Sequence, residues 1–206
     1  MIRVGKIDYC RRRNAPMQRI VTLGLVLALL LAGPAQGASI EVGAPLAPLA
    51  VEEDGECVLD GDDTRFVPWD SGSLQGKVQV LEYVAARAGV DDIHMTFFVA
   101  LKDAALPRDK YQITRVVNSD DALWGTSGLV VGEIEKTKRA QPGVDLVVDA
   151  QGLGQQQWAL EKKTAALIIL DASGTVLFFD QGEITASEVD TALAAVRNAV
   201  AASAGD

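Results

Sequence analysis

The sequence predicts an α/β fold of three layers, with a mixed central sheet, helices on both of its faces and an N-terminal β-hairpin extension. Three observations predict it. Val78 to Val84 alternates only partly and then runs apolar, as an interior strand covered on both faces does. A helical pattern and a second strand-like run, Tyr111 to Val117, follow it, and this spacing suits a crossover to a parallel neighbour. Farther on, two apolar runs joined by Asp171-Ala-Ser-Gly174 form a hairpin, and a long amphipathic helix closes the chain.

Before these elements the chain carries a leader. Arg11, Arg12, Arg13 and Arg19 precede an apolar run from Ile20 to Ala32, and Gly33-Pro-Ala-Gln-Gly-Ala38 follows, which is the layout of a secretory signal peptide. The run is shorter than the roughly 20 residues of a spanning helix, so no permanent membrane anchor is expected. Cleavage near Gly37 or Ala38 would leave residues 39–206 as a single exported domain. Met17 heads a more ordinary signal, which makes residues 1–16 a candidate upstream extension. Residues 1–38 hold six of the nineteen basic residues and one of the twenty-eight acidic ones, leaving thirteen against twenty-seven. So acidic a remainder disfavours nucleic acid and anionic lipid surfaces as partners.

The N-terminal part of the expected domain is punctuated by Pro45, Pro48, Gly55, Asp60-Gly-Asp-Asp63 and Pro68, which leaves room for short strands near Cys57–Leu59 and Arg65–Trp69. Asp60, Asp62 and Asp63 suggest calcium, but that loop pattern needs a glycine where Arg65 stands, so no metal is expected. After the central strand, Asp91 and Asp92 supply a helix start, and Ile93, Phe97, Leu101 and Ala104 recur at helical spacing. A polar loop from Asn118 to Gly128 leads into a helix from about Leu129 to Ala140, and Val144 to Val148 is the next strand. Thr185 with Glu188 forms a capping box ahead of a stripe made by Val189, Leu193, Val196 and Val200.

This order of elements is similar to the thioredoxin fold with an N-terminal extension. Gly76-Lys-Val-Gln-Val-Leu81 with Ala86-Arg87, Leu106-Pro107, Tyr111-Gln112, Val117-Asn-Ser-Asp-Asp-Ala122 and Gly182-Glu-Ile-Thr185 resembles the YtfJ family of small periplasmic proteins. The resemblance covers nearly all of residues 39–206. It implies export to the periplasm and a thioredoxin-like domain, and it assigns no reaction.

Redox chemistry in such a fold needs an attacking thiolate where the central strand turns into its helix. The turn here reads Ala85-Ala-Arg-Ala-Gly89. The loop in which a redox thioredoxin places a cis-proline reads Lys163-Thr-Ala-Ala166. Cys10 lies in the leader, so Cys57 is the one thiol expected to remain, either as a buried apolar side chain or as a reactive thiol. His94 is the single histidine, expected at the surface or boundary, which leaves a zinc site or a nucleophile triad short of parts. Gly152-Leu-Gly154 lacks the further glycine of a dinucleotide fingerprint, because residue 157 is Gln157. No cofactor is expected.

One constellation remains. Parallel strands 78–84 and 111–117 would bring Arg87 and the Asn118, Asp120, Asp121 loop to one sheet edge, where open sheets of this kind hold ligands. Trp124 would add an apolar wall and Thr164 an opposite polar side. The same residues could equally form a structural cap and ion pair. The function expected is therefore a non-redox binding or interaction module for a periplasmic protein or small ligand. The alternative is a thiol-dependent oxidoreductase or peroxidase using Cys57.

Overall fold

The computed structural model describes residues 39–122 and 127–203. The expected export signal and Trp124 lie outside the described residues. The strands are β1 (Ala50–Asp60), β2 (Asp63–Asp70), β3 (Val78–Ala85), β4 (Tyr111–Asn118), β5 (Val144–Asp149), β6 (Ala165–Leu170) and β7 (Val176–Gln181). They form one sheet in the order β2-β1-β5-β4-β3-β6-β7. β3, β4 and β5 run parallel, and the remaining pairings are antiparallel. The helices are α1 (Met95–Asp103), α2 (Ser127–Ala140), α3 (Leu153–Gln157) and α4 (Ala186–Ala202).

The apolar run of β3 places it at the centre, between β4 and β6, with every residue buried. Successive side chains of a strand point to opposite faces, and the packing follows that alternation. Val78 and Val80 join Phe97 and Leu101 of α1 and Val189 and Leu193 of α4. Leu81 and Tyr83 join Leu49 and Trp158 on the other side. On β5, Leu146 and Val148 lie with Ile134 of α2, whereas Val147 lies with Trp158. Hence α1, α2 and α4 share one face, and α3 with the segment leading into β1 covers the other.

The N-terminal hairpin is longer than its breakers suggested. Asp54 and Gly55, at φ 61 and 72, sit in a register shift within β1 and let the strand continue through them. Position 55 admits only glycine, because a Cβ there would lie 2.2 Å from the Val67 carbonyl oxygen.

Helix α1 begins later than the sequence suggested. Asp91 and Asp92 lie in successive turns, the N-cap is His94, and no side chain caps the helix. A second correction accompanies the first: His94 is fully buried, not at the surface, since its ring is bonded inside the sheet layer.

Helix α4 starts as its sequence predicts. Thr185 Oγ1 accepts from the Glu188 N–H at 3.3 Å, and the Glu188 side chain accepts from the Thr185 N–H. Thr185→Ala should lower stability by about 1 kcal/mol, read as a lower urea midpoint at unchanged slope.

Candidate functional site

The turn after β3 is stitched to its neighbours through the backbone. Ala85 N–H donates to the Thr164 carbonyl and Ala86 N–H to the Asn118 carbonyl, each at 3.0 Å. Arg87 brings the turn its only charged side chain before Asp91. Its Nη1 donates to the Asp121 carbonyl oxygen at 3.2 Å, so Arg87 does face the acidic loop. Asn118 Oδ1 accepts from the N–H groups of Asp120 and Asp121. Asp121 Oδ2 accepts from Lys163 N–H at 3.1 Å, Gln155 Nε2 at 3.2 Å and Asn118 Nδ2 at 3.5 Å. The fold thus brings Arg87, Asn118, Asp121 and the Thr164 backbone to one corner, with Asp120 packed beside Gly152. The Asp121 carboxylate is engaged in holding the three segments together, and Arg87 bonds a backbone oxygen in place of a carboxylate.

Cys57 lies in β1, fully buried among Leu146, Val148 and Ile134 beneath α2. Burial, reinforced by the Glu135 carboxylate, pushes its thiol pKa up. A thiol that is both covered and hard to ionise is a poor nucleophile. Ellman-type reagents should therefore leave Cys57 untouched in the folded protein and label it only at the unfolding rate. Rapid stoichiometric labelling at neutral pH would contradict this placement.

A buried charge cluster, unread from the sequence, occupies the opposite end of the turn. Glu82, in the middle of β3 and fully buried, stands 3.0 Å from His94 Nδ1 through Oε1 and accepts from Arg115 Nε at 2.5 Å through Oε2. Arg115 Nη2 also donates to the Asp91 carbonyl, and His94 Nε2 lies 3.0 Å from the Gly182 carbonyl. A carbonyl only accepts, so Nε2 is the nitrogen turned to donate toward Gly182, while Nδ1 faces the Glu82 carboxylate. The cluster ties β3, β4, the start of α1 and the end of β7 together. The available signal was the carboxylate itself. Glu82 is the one charged residue of a fully buried strand, and Arg115 is its register partner on β4.

Beside this cluster the helices diverge. Between α1 and α2 lies a groove of about 560 Å³, with Tyr111, Ile113 and Arg115 of β4 as its floor. A second depression of about 570 Å³, lined by Arg87, Leu129 and Ile134, adjoins it and shares Arg115, Thr137 and Leu146. Among the described residues no group of three or more His, Cys, Asp or Glu side chains is arranged to hold a metal ion. No helix of the described residues is long and apolar enough to cross a membrane.

Fold and site together define a thioredoxin-like α/β domain whose turn after the central strand bears no thiol. The family model described as "Bacterial protein of unknown function (YtfJ_HI0045)" matches residues 40–199, and the chain belongs to this family. It is 36% identical over 172 residues to the uncharacterized protein YtfJ of Escherichia coli, covering 82% of this chain and 94% of that one. An uncharacterized protein of Haemophilus influenzae is 32% identical over 174 residues, covering 84% and 95%. Among solved structures, a putative thiol:disulfide interchange protein DsbE from Chlorobium tepidum aligns at TM-score 0.52 and 15% identity, covering 77% of this chain and 99% of that one. The thioredoxin domain of a thiol-disulfide oxidoreductase from Bacteroides vulgatus aligns at TM-score 0.52 and 11% identity, covering 79% and 99%. At such identities the two structures speak for the fold alone.

Proposed function

We propose that the protein is an exported periplasmic binding module, built on a thioredoxin-like scaffold and working without thiol chemistry. One observation carries the reading: the turn that would bear a nucleophile offers only Arg87, while Cys57 is sealed beneath α2. Export rests on the basic and apolar layout of residues 1–38, with cleavage near Gly37 or Ala38. The binding surface lies along β4, between α1 and α2, where concave space and convergent polar groups coincide. The corner formed by Arg87, Asn118, Asp120, Asp121 and Thr164 frames one end of the fold and serves to position that surface.

The competing enzyme reading requires Cys57 to reach a substrate disulfide or peroxide. Insulin reduction and peroxide turnover, measured with the purified protein and with Cys57→Ser, separate the two. Background rates in both proteins are the expected result. Turnover that disappears with Cys57→Ser would overturn the proposal.

A further inference from the structure

We infer that the α1–α2 groove binds a single-chain amphiphile with a carboxylate head, of the fatty-acid class. This rests on the binding-module reading and names the ligand for it.

The groove is mostly apolar, walled by Met95, Phe98 and Leu101 of α1 and floored by Ile113 and Leu146. Met95 remains about half exposed there, at 49%. Its volume, about 560 Å³, falls within the roughly 300–1,000 Å³ of small-molecule sites. A mostly apolar trough between two helices suits an alkyl chain. It gives no reason for a compact polar metabolite to bind.

The charges decide the head group. The formal charges lining the groove are those of Lys102, Arg108, Arg115 and Glu82. Glu82 is already engaged by Arg115 and His94. Lys102 and Arg108 have no ion-pair partner among the described residues. Both belong to the same end of the groove, one in the last turn of α1 and the other just before β4. The Arg108 guanidinium lies 4.5 Å from the centroid of the Tyr111 ring, and this stacking holds it over the groove floor. What distinguishes Lys102 and Arg108 is their place, since both line one end of an apolar trough in a chain where acidic residues outnumber basic ones by twenty-eight to nineteen. A guanidinium and an ammonium lining the same end of the groove match a carboxylate, whose oxygens accept hydrogen bonds from such groups. A cationic amphiphile would be repelled there.

Displacement of the fluorescent probe 11-(dansylamino)undecanoic acid tests the inference. Hexadecanoate should displace it from the purified protein, and hexadecyltrimethylammonium, below its micelle concentration, should not. Exchanging both exposed cations, Lys102→Ala with Arg108→Ala, should weaken hexadecanoate by about tenfold or more while leaving hexadecanol unchanged. Ile113→Trp should block both competitors by filling the floor. The inference is overturned if hexadecanoate fails to displace the probe, if the trimethylammonium competes equally, or if the double variant keeps wild-type affinity. Insulin and peroxide assays on the same preparation keep the two proposals apart. Cys57-dependent turnover defeats the binding-module reading whatever the probe does. Absence of both turnover and probe displacement defeats only the amphiphile.

Discussion

Glu82→Ala is expected to lower folding stability by about 3–5 kcal/mol, the range for removing one member of a buried ion pair. The size follows from what the substitution strands. His94 is fully buried, and without the carboxylate its Nδ1 faces no partner. Arg115, 29% exposed, loses its Nε acceptor and keeps only the Asp91 carbonyl. A buried polar group left unmatched bears its whole desolvation cost, which outweighs the modest net value of the bond it lost. Leucine substitutions separate pairing from burial. Glu82→Leu alone should be nearly as damaging as alanine, whereas joining it with His94→Leu and Arg115→Leu should recover much of the loss, since no charge is then orphaned. Urea unfolding of the three proteins measures this. An alanine variant within 1 kcal/mol of the parent would mean that the cluster is not the tie between β3, β4 and α1 that its geometry describes.

Asp149→Ala should lower stability by about 3 kcal/mol or more, through loss of acceptors on the other face of the sheet. Asp149 is fully buried at the end of β5. Its Oδ1 accepts from Leu153 N–H at 2.9 Å, and its Oδ2 accepts from Gly154 N–H at 2.8 Å and from the Tyr83 hydroxyl at 2.9 Å. Tyr83 in turn accepts from Gln155 N–H at 3.0 Å. One carboxylate thus caps the five-residue α3 and fixes a core phenol. Burial, then the neighbouring Asp149 charge, pushes the Tyr83 hydroxyl far above its ordinary pKa, so at neutral pH it is a donor to Asp149. Without the carboxylate, two N–H groups and the hydroxyl lose their shared acceptor at once. Packing around α3 is close, since a Cβ at Gly154 would lie 2.5 Å from the Tyr83 ring. Because both residues belong to one network, Tyr83→Phe and Asp149→Ala combined should cost less than the sum of the two singly.

The elements that the sequence made legible are those whose signal is local. The apolar run of β3, the Asp171–Gly174 turn and the Thr185 capping box each depend on residues a few positions apart, and each formed where expected. The start of α1 misled because Asp91 and Asp92 are good cap residues. The pull on His94 comes from Glu82, twelve positions upstream, and from Gly182, eighty-eight downstream. Glu82 itself was legible only as an interruption of alternation, since its partners depend on register and crossover. At the β3–β4 edge, the sequence correctly brought Arg87 and the Asn118–Asp121 loop together. It could not reveal that Lys163 N–H and the Gln155 amide take up the Asp121 carboxylate. The groove was invisible for a related reason: it arises from the spread between α1 and α2, and no single motif encodes it.

Native mass spectrometry of the protein purified from its host without detergent, beside the Ile113→Trp variant, shows whether the α1–α2 groove carries a ligand. A non-covalent adduct with the mass of an alkyl carboxylic acid is expected on the parent protein and absent from the variant, with no thiol adduct on Cys57. Identical spectra for the two proteins, or a mixed disulfide on Cys57, would contradict that expectation.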